Sequence, residues 1–239
     1  MTLIPVATMP RIFCAIDTPD IKQAAGLAEA MRNSGCGIKL GLEFFNANGP
    51  QGIRAIADAF PQLPIFLDLK LHDIPNTVAG AVRSVADLNI AYLTLHASGG
   101  LEMMKAARHA AGNKIRLLGV TILTSLDSEA LTEIGYALPP HESVMRLTNL
   151  AQEADLAGIV CSPQEIQAVR ASHGDDLILM VPGIRPAGAK TQDQKRVMTP
   201  PEAMALGATH LVIGRPITEA ADPALAAADI LTSLHKAAA

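Results

Sequence analysis

The chain has 239 residues, 49% of them hydrophobic and 18% charged, with a formal net charge of −4. That length and balance suit a globular protein able to bury a full core, which excludes disordered and collagen-like chains. Mild acidity, the absence of Trp and an aromatic content of 3% argue against a nucleic-acid binder, which needs a basic face and stacking platforms. Cys14, Cys36 and Cys161 are odd in number and scattered, matching neither a disulfide framework nor a zinc site. They read as small buried hydrophobes. Residues Met1–Arg11 show no charged leader before an apolar stretch, and no apolar run reaches the ~20 residues of a membrane span. A cytoplasmic protein is expected, with neither membrane nor nucleic acid among its partners.

Short apolar runs alternate with Ala-rich helical patterns along the chain. The runs Arg11–Asp17, Gly37–Leu42, Ile65–Lys70, Ala91–His96, Ile115–Leu123, Ala157–Cys161, Leu177–Val181 and His210–Ile213 are bounded by Gly, Pro, Asn or Asp and too brief for helices. Helical spacing of apolar residues predicts helices over Asp20–Ser34, Gln51–Phe60, Thr77–Leu88 and Leu101–Ala111. It predicts others over Ser143–Ala154, Gln164–Ala171, Pro201–Leu206 and Pro223–Lys236. Thr18-Pro19-Asp20 supplies an N-cap region for the first. Eight consecutive β–α units imply parallel strands and a closed (β/α)8 TIM barrel. An open doubly wound sheet would carry a Gly-rich fingerprint after the first strand, where Asp17-Thr18-Pro19-Asp20 stands. Nothing divides the chain, so residues 1–239 read as one domain. Two longer connections, Thr124–Pro140 and Gly183–Pro200, follow the fifth and seventh strands. The second is polar and basic, and reads as a lid.

In such a barrel the polar residues at the C-terminal ends of strands form the site. Here those ends carry Asp17, Lys39, Asp68, Lys70, His96, Thr124, Arg185 and Arg215. Period-2 alternation in Ile65–Asp73 puts Asp68 and Lys70 on one face. Buried charges are costly even when paired, so an acid and an amine in a barrel mouth point to chemistry. Lys39 and Asp73 extend the pair to an alternating Lys–Asp–Lys–Asp array, in which flanking carboxylates keep each lysine charged. Arg185 and Arg215 sit at the strand ends where barrels commonly bind phosphate, and Arg makes bidentate bonds to it. The seven His residues show no metal-ligand spacing. His96 in His96-Ala97-Ser98-Gly99-Gly100 reads as structural, and His72 has no assigned role.

The run Asp68-Leu69-Lys70-Leu71-His72-Asp73-Ile74-Pro75-Asn76-Thr77 resembles the signature of the orotidine 5′-monophosphate decarboxylase family. Ala15-Ile16-Asp17, Ile38-Lys39-Leu40-Gly41, Leu123-Thr124-Ser125, Pro182-Gly183-Ile184-Arg185-Pro186, Gln194 and Ile213-Gly214-Arg215-Pro216 extend the resemblance over nearly the whole chain. It implies that Lys70 stabilises and protonates a carbanion at pyrimidine C6, with Asp68 beside the substrate carboxylate. By the same resemblance Lys39 and Asp17 bind ribose hydroxyls and hold the charged array. Thr124 lies against the pyrimidine; Gln194, Gly214 and Arg215 bind phosphate, and Arg185 contacts substrate. Asp73 and Thr77 reach into the neighbouring subunit's site of a homodimer. No metal or other cofactor is implied. The competing readings are a metal-assisted relative acting on sugar phosphates (a keto-gulonate-phosphate decarboxylase or hexulose-phosphate synthase) and a non-catalytic nucleotide-binding relative.

Overall fold

The computed structural model describes residues 5–186 and 198–236. Parallel strands β1 (Ile12–Ile16), β2 (Gly37–Gly41), β3 (Ile65–Leu71), β4 (Tyr92–His96), β5 (Arg116–Val120), β6 (Gly158–Val160), β7 (Ile178–Val181) and β8 (His210–Ile213) close into a barrel in chain order. The closing pair is β1 with β8, where Phe13 lies opposite Val212. The helices are α1 (Ile21–Arg32), α2 (Leu42–Ala59), α3 (Pro75–Val85), α4 (Leu101–Ala111) and α5 (Ser128–Glu133). They continue with α6 (Pro140–Glu153), α7 (Ile166–His173), α8 (Pro200–Ala205), α9 (Arg215–Thr218) and α10 (Pro223–Lys236). The expected (β/α)8 barrel is therefore present.

Strand parity sorts the core into two clusters. Residues facing outward, such as Ile12, Leu67, Leu93 and Leu179, pack under the helices. Those facing inward, Phe13, Phe66, Tyr92, Leu118, Ile178 and Met180 among them, fill the barrel floor. Edge-to-face contacts join Phe13 to Phe66 and Tyr92, with centroids 6.0 and 5.7 Å apart. Gly37 makes this layer fit, since a Cβ there would lie 2.6 Å from the Phe13 ring. All three cysteines are free and buried, as their scatter suggested, and burial first of all pushes the Cys14 thiol up to about 12.

His210 belongs to the same floor. Its Nδ1 lies 2.8 Å from the Pro10 carbonyl oxygen and its Nε2 2.9 Å from the Tyr92 hydroxyl. A carbonyl only accepts, so Nδ1 donates to Pro10 and Nε2 accepts from Tyr92. Burial holds this ring neutral and lowers its pKa to about 4, with the Pro10 carbonyl opposing and Arg116 and Arg11 assisting. Between the ordinary histidine value and that one, the unfolded chain takes the proton more readily than the folded one. The contribution of neutral His210 is thus complete above about pH 6.5 and is lost as pH falls towards 4. Urea unfolding at pH 7 and pH 4 should show wild type losing about 3 kcal/mol more than His210→Gln. Equal losses would show that the ring ionises freely.

The structure departs from the sequence reading at the short helix α9, which was not expected, and in three larger features. Helix α2 begins at Leu42 rather than near Gln51, with a kink at Gly49 (φ +63) and Pro50. Before the kink only Phe44 is buried, too few positions for a periodic apolar stripe, and the Gly-Pro pair reads as a stop. The connection Thr124–Pro140 contains α5, started by Asp127, whose side chain accepts from the Ala130 N–H at 3.1 Å. Strand β5 ends at Val120 instead of Leu123. Thr121 still ties its N–H and its hydroxyl to the Val160 carbonyl, at 3.2 and 2.8 Å. Residues 187–197 of the expected lid, Gln194 included, lie outside the described residues. The two ends of that connection meet in a bridge between Ile184 and Met198.

Candidate active site

The inward rows that fill the floor turn polar at the C-terminal mouth. On β3 the row runs Phe66, Asp68, Lys70; on β2 it reaches Lys39; on β4 it runs Tyr92, Thr94, His96. Asp17, just past the end of β1, completes a charged chain. The Lys39 Nζ lies 3.1 Å from Asp17 Oδ1 and 3.7 Å from Asp68 Oδ2, and Lys70 Nζ lies 2.7 Å from Asp68 Oδ2. The side chains of Lys39 and Asp68 are only 11% and 12% exposed, so the ion pair between them is poorly screened. Burial by itself raises the Asp68 pKa, but Lys39, Lys70 and the Thr94 hydroxyl together hold it below the usual carboxylate range. Asp68 is an anion here.

Backbone geometry puts Lys70 in this position. From Leu67 to Leu71 strand β3 takes four steps while its partner β4 takes two, Leu93 to Leu95. The excess is absorbed in a bulge, and Lys70 sits in the left-handed region at φ +50. That conformation is costly for a residue with a Cβ, and such strain gathers at functional sites. Thr94 compensates. Its Oγ1 accepts from the Lys70 N–H at 2.9 Å and donates to Asp68 Oδ1 at 2.8 Å. Gly41 also contributes, because a Cβ there would stand 3.0 Å from Lys39 Nζ.

Two cavities open beside the array and share Lys39, Pro182 and Val212. One, of about 200 Å³, is walled mainly by apolar groups such as Phe66, Val120, Ile122 and Val160, with Asp68, Lys70 and Thr124 on its lining. The other, of about 560 Å³, carries Asp17, Arg185, Gly214 and Arg215. Arg185 is buried, and its Nη1 donates to the Ile184 carbonyl at 2.9 Å. Asp17, Lys39, Asp68, Lys70, Thr124, Arg185, Gly214 and Arg215 therefore converge on one mouth. Asp73 and Thr77 line neither cavity. Both are exposed, and the Asp73 carboxylate accepts from the Ile74 N–H at 2.6 Å. Within one chain the alternation thus runs Asp17–Lys39–Asp68–Lys70. Among the described residues no group of three His, Cys, Asp or Glu is placed to hold a metal ion.

The family model described as orotidine 5′-phosphate decarboxylase / HUMPS family matches residues 10–230. The chain belongs to this family. It is 50% identical over 231 residues to an orotidine 5′-phosphate decarboxylase of Paramagnetospirillum magneticum, covering 93% of this chain and 97% of that protein. A relative of the same name from Anaeromyxobacter sp. strain K is 52% identical over 224 residues, covering 94% of this chain and 98% of its own. The crystal structure of orotidine 5′-phosphate decarboxylase from Lactobacillus acidophilus superposes with a TM-score of 0.83 at 34% identity. That match covers 95% of this chain and 99% of the other.

Membership in the decarboxylase family leaves some groups for the geometry alone to describe. Thr94 falls in none of the motifs, and Gly41 stands in Ile38-Lys39-Leu40-Gly41 with no role of its own assigned. Thr94 had a signal, being the one polar side chain inside the apolar run Tyr92–Leu95 and sharing its inward parity with Tyr92 and His96. The steric role of Gly41 had none, since it depends on where a neighbouring amine ends. His96 stacks on His72 with centroids 5.3 Å apart. Burial chiefly, then His72 and Lys70, lower the His96 pKa, and Asp68 opposes them. No helix among the described residues is long and apolar enough to cross a membrane.

Proposed function

We propose that this protein decarboxylates orotidine 5′-monophosphate to UMP, a step of pyrimidine synthesis, without a cofactor. The observation that carries the reading is the Asp17–Lys39–Asp68–Lys70 chain, with its terminal ammonium facing a largely apolar cavity. The pyrimidine occupies that cavity beside Thr124, the ribose hydroxyls meet Asp17 and Lys39, and the phosphate lies among Arg185, Gly214, Arg215 and Gln194. When the bond from C6 to the carboxyl group breaks, its electron pair stays on C6 and carbon dioxide leaves. The Lys70 ammonium stabilises that pair as it develops and then delivers a proton to C6, regaining one from water. Asp68 faces the departing carboxylate. At ~4 Å and an effective dielectric of ~20 their repulsion is about 4 kcal/mol, too little for a large acceleration by itself. Stabilisation at Lys70, supported by phosphate binding energy, does most of the work.

Disappearance of the orotate chromophore on mixing protein with orotidine 5′-monophosphate tests the reading. Full turnover in chelator separates it from the metal-assisted sugar-phosphate relatives, and no turnover would overturn it. Arg215→Ala should cost about 3 kcal/mol in kcat/KM for the nucleotide and almost nothing for a substrate lacking phosphate. Equal losses on both would make Arg215 a structural residue.

The same proposal includes a two-fold homodimer in a single-domain barrel, with Asp73 and Thr77 completing the partner's site. It is supported by the family's signature and by the exposure of residues 72–77, where Ile74 is 66% exposed beside the mouth. The cytoplasm is the proposed compartment, in keeping with three free thiols. Closure of residues 183–200 over the phosphate is the proposed role of that segment.

A further inference from the structure

Two histidines at the ends of neighbouring strands have no part in the proposed chemistry, yet their rings meet. The ladder between β3 and β4 ends where Leu71 pairs with Leu95. One residue beyond that pair on each side, His72 and His96 stack with ring centroids 5.3 Å apart and planes tilted by 37°. That spacing lies within the range of aromatic rings in contact. The turn Ala97–Gly99 that follows β4 comes up against the same ring, since a Cβ at Gly99 would stand 3.1 Å from His72 Cδ2. Burial foremost keeps the His96 pKa below its usual value, so His96 meets its neighbour uncharged at neutral pH. Residues 72–77 are all exposed. The His72 ring therefore ties an exposed run to the end of β4 at the run's first residue, and Asp73 is the next one along.

We propose that His72, held by His96, is a positioning residue that sets Asp73 for the partner subunit's site. The inference rests on the reading that Asp73 completes that site. A side chain delivered from an exposed turn has to be ordered by its own chain, because any freedom left in the turn is lost when the group is used. His72 adjoins Asp73, so fixing its ring fixes the backbone from which the carboxylate projects. The bond from the Ile74 N–H to that carboxylate, at 2.6 Å, then orients the side chain on the held backbone. Displacing an acting group by about 1 Å can cost on the order of 10²-fold in rate. The contact is one of ring faces, so a phenyl ring at position 72 should serve as well as an imidazole.

The test uses tagged, isolated hybrid dimers in which one subunit carries Lys70→Ala, so that the other holds the single working lysine. His72 is exposed, so its variants are expected to fold. Adding His72→Ala to the Lys70→Ala subunit should lower kcat/KM of the hybrid about tenfold, while His72→Phe there should keep it within about twofold. Moving His72→Ala to the subunit with the intact lysine should change it about twofold or less, because that site takes Asp73 from the other chain. A loss that follows the lysine-bearing subunit would show that the stack serves its own site and would overturn the proposal. So would equal losses in both placements, no loss in either, or a loss with Phe as large as with Ala. Asp73→Asn on the Lys70→Ala subunit tests the parent reading separately. If that hybrid keeps full activity, Asp73 does not serve the partner, and this inference falls with the reading beneath it.

Discussion

Lys70→Ala is expected to abolish decarboxylation while leaving UMP binding within a few-fold of wild type. In the proposed mechanism the ammonium acts on charge that exists only as the bond to carbon dioxide breaks, so its loss should fall on kcat and kcat/KM together. A positioned general acid contributes about 10²–10⁴-fold, and a preorganised electrostatic donor about 10²–10³-fold. In the proposed mechanism Lys70 serves as both, so turnover should fall by at least about 10⁴-fold. Binding should survive because the proposed phosphate and ribose contacts, Arg185, Arg215 and Asp17, line the other cavity. Asp68 keeps Lys39 at 3.7 Å and the Thr94 hydroxyl at 2.8 Å, so it is not stranded as a lone buried charge. Titration calorimetry with UMP beside single-turnover kinetics checks both halves. A variant with near-normal turnover would remove Lys70 from the mechanism.

Mixing two dead proteins should restore activity. Lys70→Ala and Asp73→Asn each disable every site of their own homodimer if Asp73 serves the partner. In a hybrid dimer one site inherits both lesions and the other inherits neither. Random exchange at equal concentrations makes half the dimers hybrid, and half the sites in those are intact, so activity should recover to about a quarter of wild type. The exposed carboxylate of Asp73, away from both cavities of its own chain, is the structural reason to expect this. If Asp73 serves its own subunit, each site keeps one lesion and mixing restores nothing. Exchange itself is verified separately by tagging one partner and isolating mixed dimers.

The eight strands were legible because buried parallel strands are short apolar runs with turn residues at both ends. Their predicted limits fall within three residues of those observed, the largest error being the end of β5 at Val120. Charges inside such runs stand out, and this made Asp68, Lys70 and Lys39 readable before any geometry was known. What stayed hidden depends on contacts distant in sequence. The link from Thr94 to both Asp68 and Lys70 exists because β3 gains two residues on β4, and period-2 reading assumes an unbroken ladder. The first half of α2 buries only Phe44 before Gly49-Pro50 interrupts it, so no helical repeat builds up, and α5 is too short for a periodic signal.

The bulge in β3 also bears on whether this chemistry is portable. Copying Asp17, Lys39, Asp68 and Lys70 onto the strand ends of another barrel would transfer the right side chains onto the wrong backbone. On an unbroken β3 the ladder would claim the Lys70 N–H, Lys70 would return to extended geometry, and its amine would leave the line towards Asp68. A graft therefore has to carry the two surplus residues, the left-handed lysine and the threonine that accepts its amide as one inseparable cassette. Sequence drift within the barrel is constrained in the same way. A deletion that tidied the ladder between Leu67 and Leu71 would improve the sheet and lose the enzyme.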